Sequence, residues 1–303
     1  MDIRVNGEPL ALDFEAGASV GEVLAAADEL LETAGAIIVG LKLDGVELDA
    51  AAYPEAKDRP CASVGSIDIA AESIAAIKTK AISTFLELLS LSGEAAANEA
   101  SSDWPALSGS LGELAEAFAG LFSADELSFV QGFADLVLSA LPSGPGKASP
   151  PPPELRARIS HQAERLLIIF KERLDEIERP AEEMRKTATL FRSQADELKE
   201  LPVLLQTGKD ERAMKAVLFF IEIFNKVIRI VPELEHEGLD TDKLSIDGET
   251  IPQFYNSFNE VLRKLSTAFE NKDSVLIGDL AEYEVAPRMA GFFATMEEAL
   301  TRP

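Results

Sequence analysis

The sequence predicts an α+β protein, a small sheet-bearing N-terminal domain followed by a longer, mostly α-helical hairpin and bundle region. Three observations carry this expectation. Short strand-like runs and two-residue turns fill the first 72 positions, β signals largely stop after Ala71, and beyond that apolar residues recur at helical spacing. With 303 residues and 47% apolar composition, the chain has material for two or three cores.

Asn6-Gly7 separates two apolar runs, 1–5 and 10–14, and Asn-Gly suits the positive φ angles of a tight hairpin turn. Val20, Val23, Leu24, Ala27, Leu30 and Leu31 line one face of a helix. Residues 37–43 predict a strand, Asp44-Gly45 a second turn, 46–48 a short strand and 66–69 the last one. From there, 73–91 predicts a helix, 93–105 a loop, and 111–121 with 126–141 a helical hairpin. Residues 142–153 are rich in Pro, Gly and Ser and predict a semi-stiff spacer between modules.

Past the spacer, Leu155, Ile159, Gln162, Leu166, Ile169, Arg173 and Ile177 step by four and three residues, as coiled-coil seams do. Pro180 suits the first turn of a second helix reaching 201, with Pro202 and Gly208 breaking it. An apolar helix runs from Ala213 until Pro232 ends it, and 234–251 reads as an acidic loop. Helices follow over 252–270 and 274–300, the second kinked or interrupted at Pro287. Segments 122–135 and 269–282 align without a gap, which points to an internal repeat, with 206–218 as a looser third copy. The predicted layout is therefore 1–72, 73–141, a linker over 142–153, and a bundle over 154–303.

Hairpin, helix, strand, turn, short strand and final strand is the order of a β-grasp domain, and residues 1–72 resemble the ubiquitin-like family. The resemblance implies a compact sheet that binds partners across one face. Ubiquitin-like modifiers and sulfur carriers act through a free Gly-Gly end. Here Ala70-Ala71-Glu72-Ser73 runs on into a helix, so the resemblance does not extend to conjugation or sulfur transfer. The helical remainder resembles no family.

The formal charge is −25, from 28 basic and 53 acidic residues. Residues 1–153 hold 24 acidic and 7 basic side chains (net −17), and 154–303 hold 29 and 21 (net −8). Such surfaces repel phosphate backbones and anionic headgroups, so neither nucleic acid nor membrane is an expected partner. Cys61 is the single cysteine, so an intramolecular disulfide is impossible. The most apolar stretch, 213–231, contains Lys215, Glu222, Lys226 and Arg229, which argues for a core helix rather than a membrane span. A soluble, cytoplasmic protein is the expectation.

Chemistry-bearing motifs are sparse. His161 and His236 fall in separate elements, and the usual zinc spacings and phosphate-binding glycine loops are absent, so no metal or cofactor is expected. Gly17-Ala18-Ser19-Val20-Gly21 fits the nucleophile-elbow pattern, but Ser19 with Glu22 reads better as a helix-capping box. Asp240, Asp242 and Asp247-Gly248 lack the calcium-loop spacing, because Leu244 stands where an oxygen ligand belongs. Asp279, Glu282, Tyr283 and Glu284 form the best remaining cluster, and Asp279, Leu280, Glu282 and Tyr283 are the candidate partner-binding residues.

The expected function is that of a non-enzymatic protein–protein interaction or scaffold protein. One alternative is an acidic helical chaperone for an export or motility substrate, with an apolar groove between helices 213–231 and 274–300. Another is a hydrolase or transferase using the carboxylate and tyrosine cluster. The expected partner is a protein with a basic patch or amphipathic helix, and the 154–201 helices leave room for a homo-oligomer.

Overall fold

The computed structural model describes residues 1–12, 14, 17–49, 51–99, 101–141 and 150–301. The chain is α+β and divides into two compact units, Met1–Glu178 and Arg179–Pro303.

The first unit opens with β1 (Asp2–Val5) and β2 (Glu8–Pro9), joined at Asn6-Gly7 with φ angles of 52° and 88°, both left-handed as the hairpin turn requires. β2 lies before the 10–14 run that predicts a strand; of that run Leu10 donates its N–H to the Ile3 carbonyl at 2.8 Å, and residues 11, 12 and 14 form no strand. Asp13 of that run lies outside the described residues. Helix α1 (Val20–Thr33) follows, then β3 (Ala36–Leu43), a second positive-φ turn at Asp44-Gly45, and β4 (Val46–Glu47). A short helix α2 (Tyr53–Lys57), for which the sequence shows no periodicity, precedes β5 (Ser66–Ser73).

The sheet order is β2-β1-β5-β3-β4, with β1 and β5 parallel and the other neighbours antiparallel. The Asn6 side chain bonds Ala71 twice, through Nδ2 to its carbonyl at 2.9 Å and through Oδ1 from its N–H at 3.0 Å. That amide continues the parallel pairing one step beyond β1. Val20, Val23, Leu24 and Ala27 of α1 pack on Ile3, Leu41, Leu43, Ile67 and Ile69. Burying each such aliphatic contributes roughly 1.5–3 kcal/mol. The other face has a different character. Pro9, Arg4, Asp68, Lys42 and Glu47 stand in register across all five strands, so its charges alternate and compensate.

Four helices complete the unit: α3 (Ile74–Ala97), α4 (Trp104–Phe118), α5 (Ala124–Leu138) and α6 (Pro153–Glu178). α3 runs through Gly93, and α4 begins at Trp104 with Pro105 in its first turn, so the predicted loop shrinks to six residues. Phe85 is the hub of their core, edge-on to Phe170 at 4.8 Å, Phe118 at 6.0 Å and Phe133 at 6.2 Å. The seam residues Ile159, Leu166 and Ile177 of α6 are buried in this same core. The units thus divide at 178/179 rather than at the proline-rich stretch, since the apolar seam of α6 is satisfied by the helices before it. Residues 142–149 of the predicted linker lie outside the described residues.

The second unit holds α7 (Pro180–Gln206), α8 (Asp210–His236), the hairpin β6 (Ser245–Ile246) and β7 (Glu249–Thr250), α9 (Ile251–Glu270), α10 (Ser274–Leu280) and α11 (Ala286–Ala299). Two expectations fail here. Pro202 and Pro232 lie inside α7 and α8 instead of ending them. An interior proline costs about 3 kcal/mol, but Leu198, Leu201 and Leu204 around the first and Ile230, Val231 and Leu234 around the second are all buried. Packing outweighs the lost hydrogen bond. The presumed loop 234–251 contains the β6–β7 hairpin, turned at Asp247-Gly248 with φ 51° and 88°. Phe224 against Phe258 (4.7 Å), Phe254 against Phe292 (5.4 Å) and Phe191 against Phe293 (5.2 Å) fill the core.

Candidate partner-binding surface

α10 starts at Asp273, whose carboxylate accepts from the Leu276 N–H at 3.0 Å. Its orientation is fixed by Gly278, which rests on Pro202 so closely that an added Cβ would meet the ring Cγ at 2.2 Å. Ile277, Leu280 and Ala281 therefore point inward and are buried. Leu280, a predicted partner-binding residue, is thus unavailable, because it sits one turn from Ile277 on the core-facing side. Asp279, Glu282 and Tyr283 do face solvent, Tyr283 with 68% of its surface exposed. Val275 (64% exposed) and Leu276 join them, two residues that sequence reasoning missed because Val275-Leu276-Ile277 is uniformly apolar.

The α-helical run is interrupted just before Pro287, as expected, by a π turn rather than by a break in the helix. Residues Ala281–Val285 form a π turn in which the Ala286 N–H donates to the Ala281 carbonyl. Pro287 has no N–H for the Tyr283 carbonyl, and the widened turn absorbs that loss. The π turn carries Glu282, Tyr283 and Glu284 outward together.

Among the described residues, none of Asp279, Glu282 and Glu284 is in an ion pair. The following cation is committed elsewhere: Arg288 Nη2 donates to Glu249 Oε2 at 2.6 Å and to the Ser257 hydroxyl, and its guanidinium lies 5.5 Å over the Phe254 ring. That cluster ties the β6–β7 hairpin to α9 and α11, and it too was not legible in the sequence. The surface thus presents uncompensated carboxylates beside two aliphatic side chains and a phenol.

The remaining candidates have structural roles. Ser19 and Glu22 form a reciprocal capping box at α1, with the Ser19 N–H donating to Glu22 Oε2 at 2.7 Å. Cys61 is buried, and burial raises its thiol pKa. His236 lies 3.3 Å from Glu233, whereas His161 is exposed. Asp240 pairs with Lys243 at 2.5 Å. Among the described residues no group of three or more His, Cys, Asp or Glu is placed to hold a metal ion. The groove expected between helices 213–231 and 274–300 is filled, since Phe220, Phe224, Phe292, Phe293 and Met296 form one core.

The aligned segments 122–135 and 269–282 share buried positions, Val130 with Ile277 and Phe133 with Leu280. Their starts differ. Glu126 is the third residue of α5 in a box with Ser123, whereas the aligned Asp273 is itself the N-cap of α10.

No described helix is long and apolar enough to cross a membrane. Residues 182–293, inside the second unit, match a family described as a domain of unknown function (DUF8042). Residues 1–73 match the TP0873 N-terminal domain, which ends at the Ser73 cap of α3. An uncharacterized protein of Treponema pallidum (strain Nichols) is 27% identical over 104 residues, 34% of this chain and 52% of the relative. The chain therefore spans about half the length of that curated relative. No solved structure matches it.

Proposed function

We propose that this is a non-enzymatic protein-binding protein, a scaffold or adaptor, that takes a partner on the outward face of α10 and the π turn. One observation carries the reading: Tyr283 stands exposed between carboxylates that have no counter-ion among the described residues, beside exposed Val275 and Leu276. A protruding aromatic with aliphatic neighbours is the composition of an interface centre, and free acidic groups suit a partner bearing a basic patch or basic amphipathic helix. An enzyme gains less support, because acid–base groups are normally tuned by burial and these lie in water. The mixed sheet with its parallel β1–β5 pair and packed helix supports the ubiquitin-like reading of residues 1–72. Its self-compensated outer face makes it the weaker candidate for binding.

A photo-crosslinking residue at position 283 tests the proposal in native lysate. The expected result is one dominant protein adduct, lost in V275E with helicity unchanged. Turnover of a small compound by the purified chain, abolished in E282Q, would overturn it.

A further inference from the structure

The seam of α6 is satisfied inside the first unit, but α8 in the second unit carries a seam that is not. Met214, Leu218, Ile221, Asn225 and Ile228 step by four, three, four and three residues. In heptad terms Leu218 and Asn225 take a positions, and Met214, Ile221 and Ile228 take d positions. Met214, Leu218 and Ile228 are 43%, 51% and 41% exposed, Asn225 is exposed as well, and Ile221 is half-buried against the core of its own unit with part of its side chain left on the seam. The adjoining g positions, Val217, Phe224 and Val231, are buried in the core of their own unit. Only the e edge, with Lys215, Glu222 and Arg229, is left to flank the seam.

That asymmetry selects both an occupant and a direction. A parallel neighbour needs e-to-g charge pairs, and here g is buried. An antiparallel neighbour needs e-to-e pairs, and α8 supplies them to itself. When Leu218 packs on the partner's Ile221, Met214 falls opposite the partner's Asn225 and Ile228 opposite the partner's Glu211, while on the flanking e edges Lys215 lies two positions, about 3 Å along the axis, from level with the partner's Glu222. Two-fold symmetry repeats each contact. Among the described residues Lys215 pairs with Glu211, at 2.8 Å and with both side chains largely exposed, a pair easily exchanged.

We propose that two copies of this chain associate through antiparallel pairing of α8, centred on residues 219 and 220. This rests on α8 alone and is independent of the α10 surface. One helix pair is smaller than the standard interface of about 800 Å² per partner, so the dimer is weak, with a dissociation constant on the order of tens of micromolar.

Sedimentation of the full chain at about 0.15 M salt, from about 5 to about 500 µM, tests it. A monomer–dimer equilibrium is expected, weakened at least about tenfold in L218E. K215E and E222K each oppose like charges twice and should weaken it several-fold, while the double variant K215E/E222K returns to within about twofold of wild type. These two positions are exposed, so the swaps leave the fold intact, as circular dichroism will verify. A wild-type monomer throughout, a dimer indifferent to L218E, or a double swap no better than the singles would each overturn the proposal.

Discussion

Arg173 closes on a carboxylate that is already capping another helix. Its Nε donates to Glu126 Oε1 at 2.7 Å, while Glu126 Oε2 accepts from the Ser123 N–H at 2.8 Å and from the Ser123 hydroxyl at 2.6 Å. Arg173 Nη1 reaches Glu176 Oε2 at 3.3 Å, and all three side chains are buried. An arginine on an apolar seam looks like a flaw in the pattern. It is the point at which α6 is tied to the start of α5.

Removing the cation takes a buried ion-pair partner from both Glu126 and Glu176, so R173M should destabilise the first unit by about 3–5 kcal/mol. E126Q keeps an oxygen for the cap and should cost less, roughly 1.5–3 kcal/mol. Trp104, the only tryptophan, is buried in the core of this unit, so its fluorescence during urea unfolding follows the first unit rather than the second.

The same carboxylate sets an acid limit. Burial by itself would raise the Glu126 pKa, but Arg173 and Ser123 together outweigh it and hold the group below the ordinary carboxylate range. Glu183 is similar, with Lys186 and Lys226 outweighing its burial. A depressed folded pKa gives stability that is present above the unfolded value, about 4.3, and lost as pH falls through the folded one. Glu237 has the opposite sign, since burial raises it and its small contribution fades as pH rises. The urea midpoint read by Trp104 should be flat from about pH 7 to 5 and fall below about pH 4, less steeply in E126Q. An equally steep fall in that variant would assign the acid sensitivity to other groups.

Local chemistry was the legible part of this molecule. Asn6-Gly7 and Asp44-Gly45 announce hairpins because few other pairs accept two successive positive φ angles. Ser19 with Glu22 announces a helix start because the spacing satisfies two orphan N–H groups. What the sequence hid was tertiary. Pro202 reads as a breaker until Gly278 is seen against its ring, and Leu280 reads as surface until Ile277 fixes which side of α10 is inside. The 155–177 seam shows that α6 needs an apolar neighbour but cannot say whether that neighbour is a second copy or α3.

Three turn glycines isolate the cost of backbone conformation. Gly7, Gly45 and Gly248 have φ of 88°, 79° and 88°, and a Cβ at any of them would meet nothing within 4 Å. Alanine there should cost about 1–2 kcal/mol from the left-handed conformation alone, and asparagine appreciably less. Thermal unfolding of G248A and G248N checks the order, since a purely steric penalty would instead make the larger asparagine the worse of the two.

Gly278 is the converse case, because its backbone is ordinary and the whole penalty is contact. A Cβ there lies 2.2 Å from Pro202 Cγ and 3.1 Å from Pro202 Cβ, so α10 must lift from α7 or the proline must shift. G278A should destabilise the second unit by about 2–3 kcal/mol, the scale of forced overpacking. In P202A the ring is gone and the interior helix recovers an N–H, so the same substitution should cost well under half as much. The difference is a coupling energy, measured by unfolding the four members of a double-mutant cycle. Additive costs would mean that α10 does not rest on this proline, and the outward setting of Val275, Asp279 and Tyr283 would lose its structural cause.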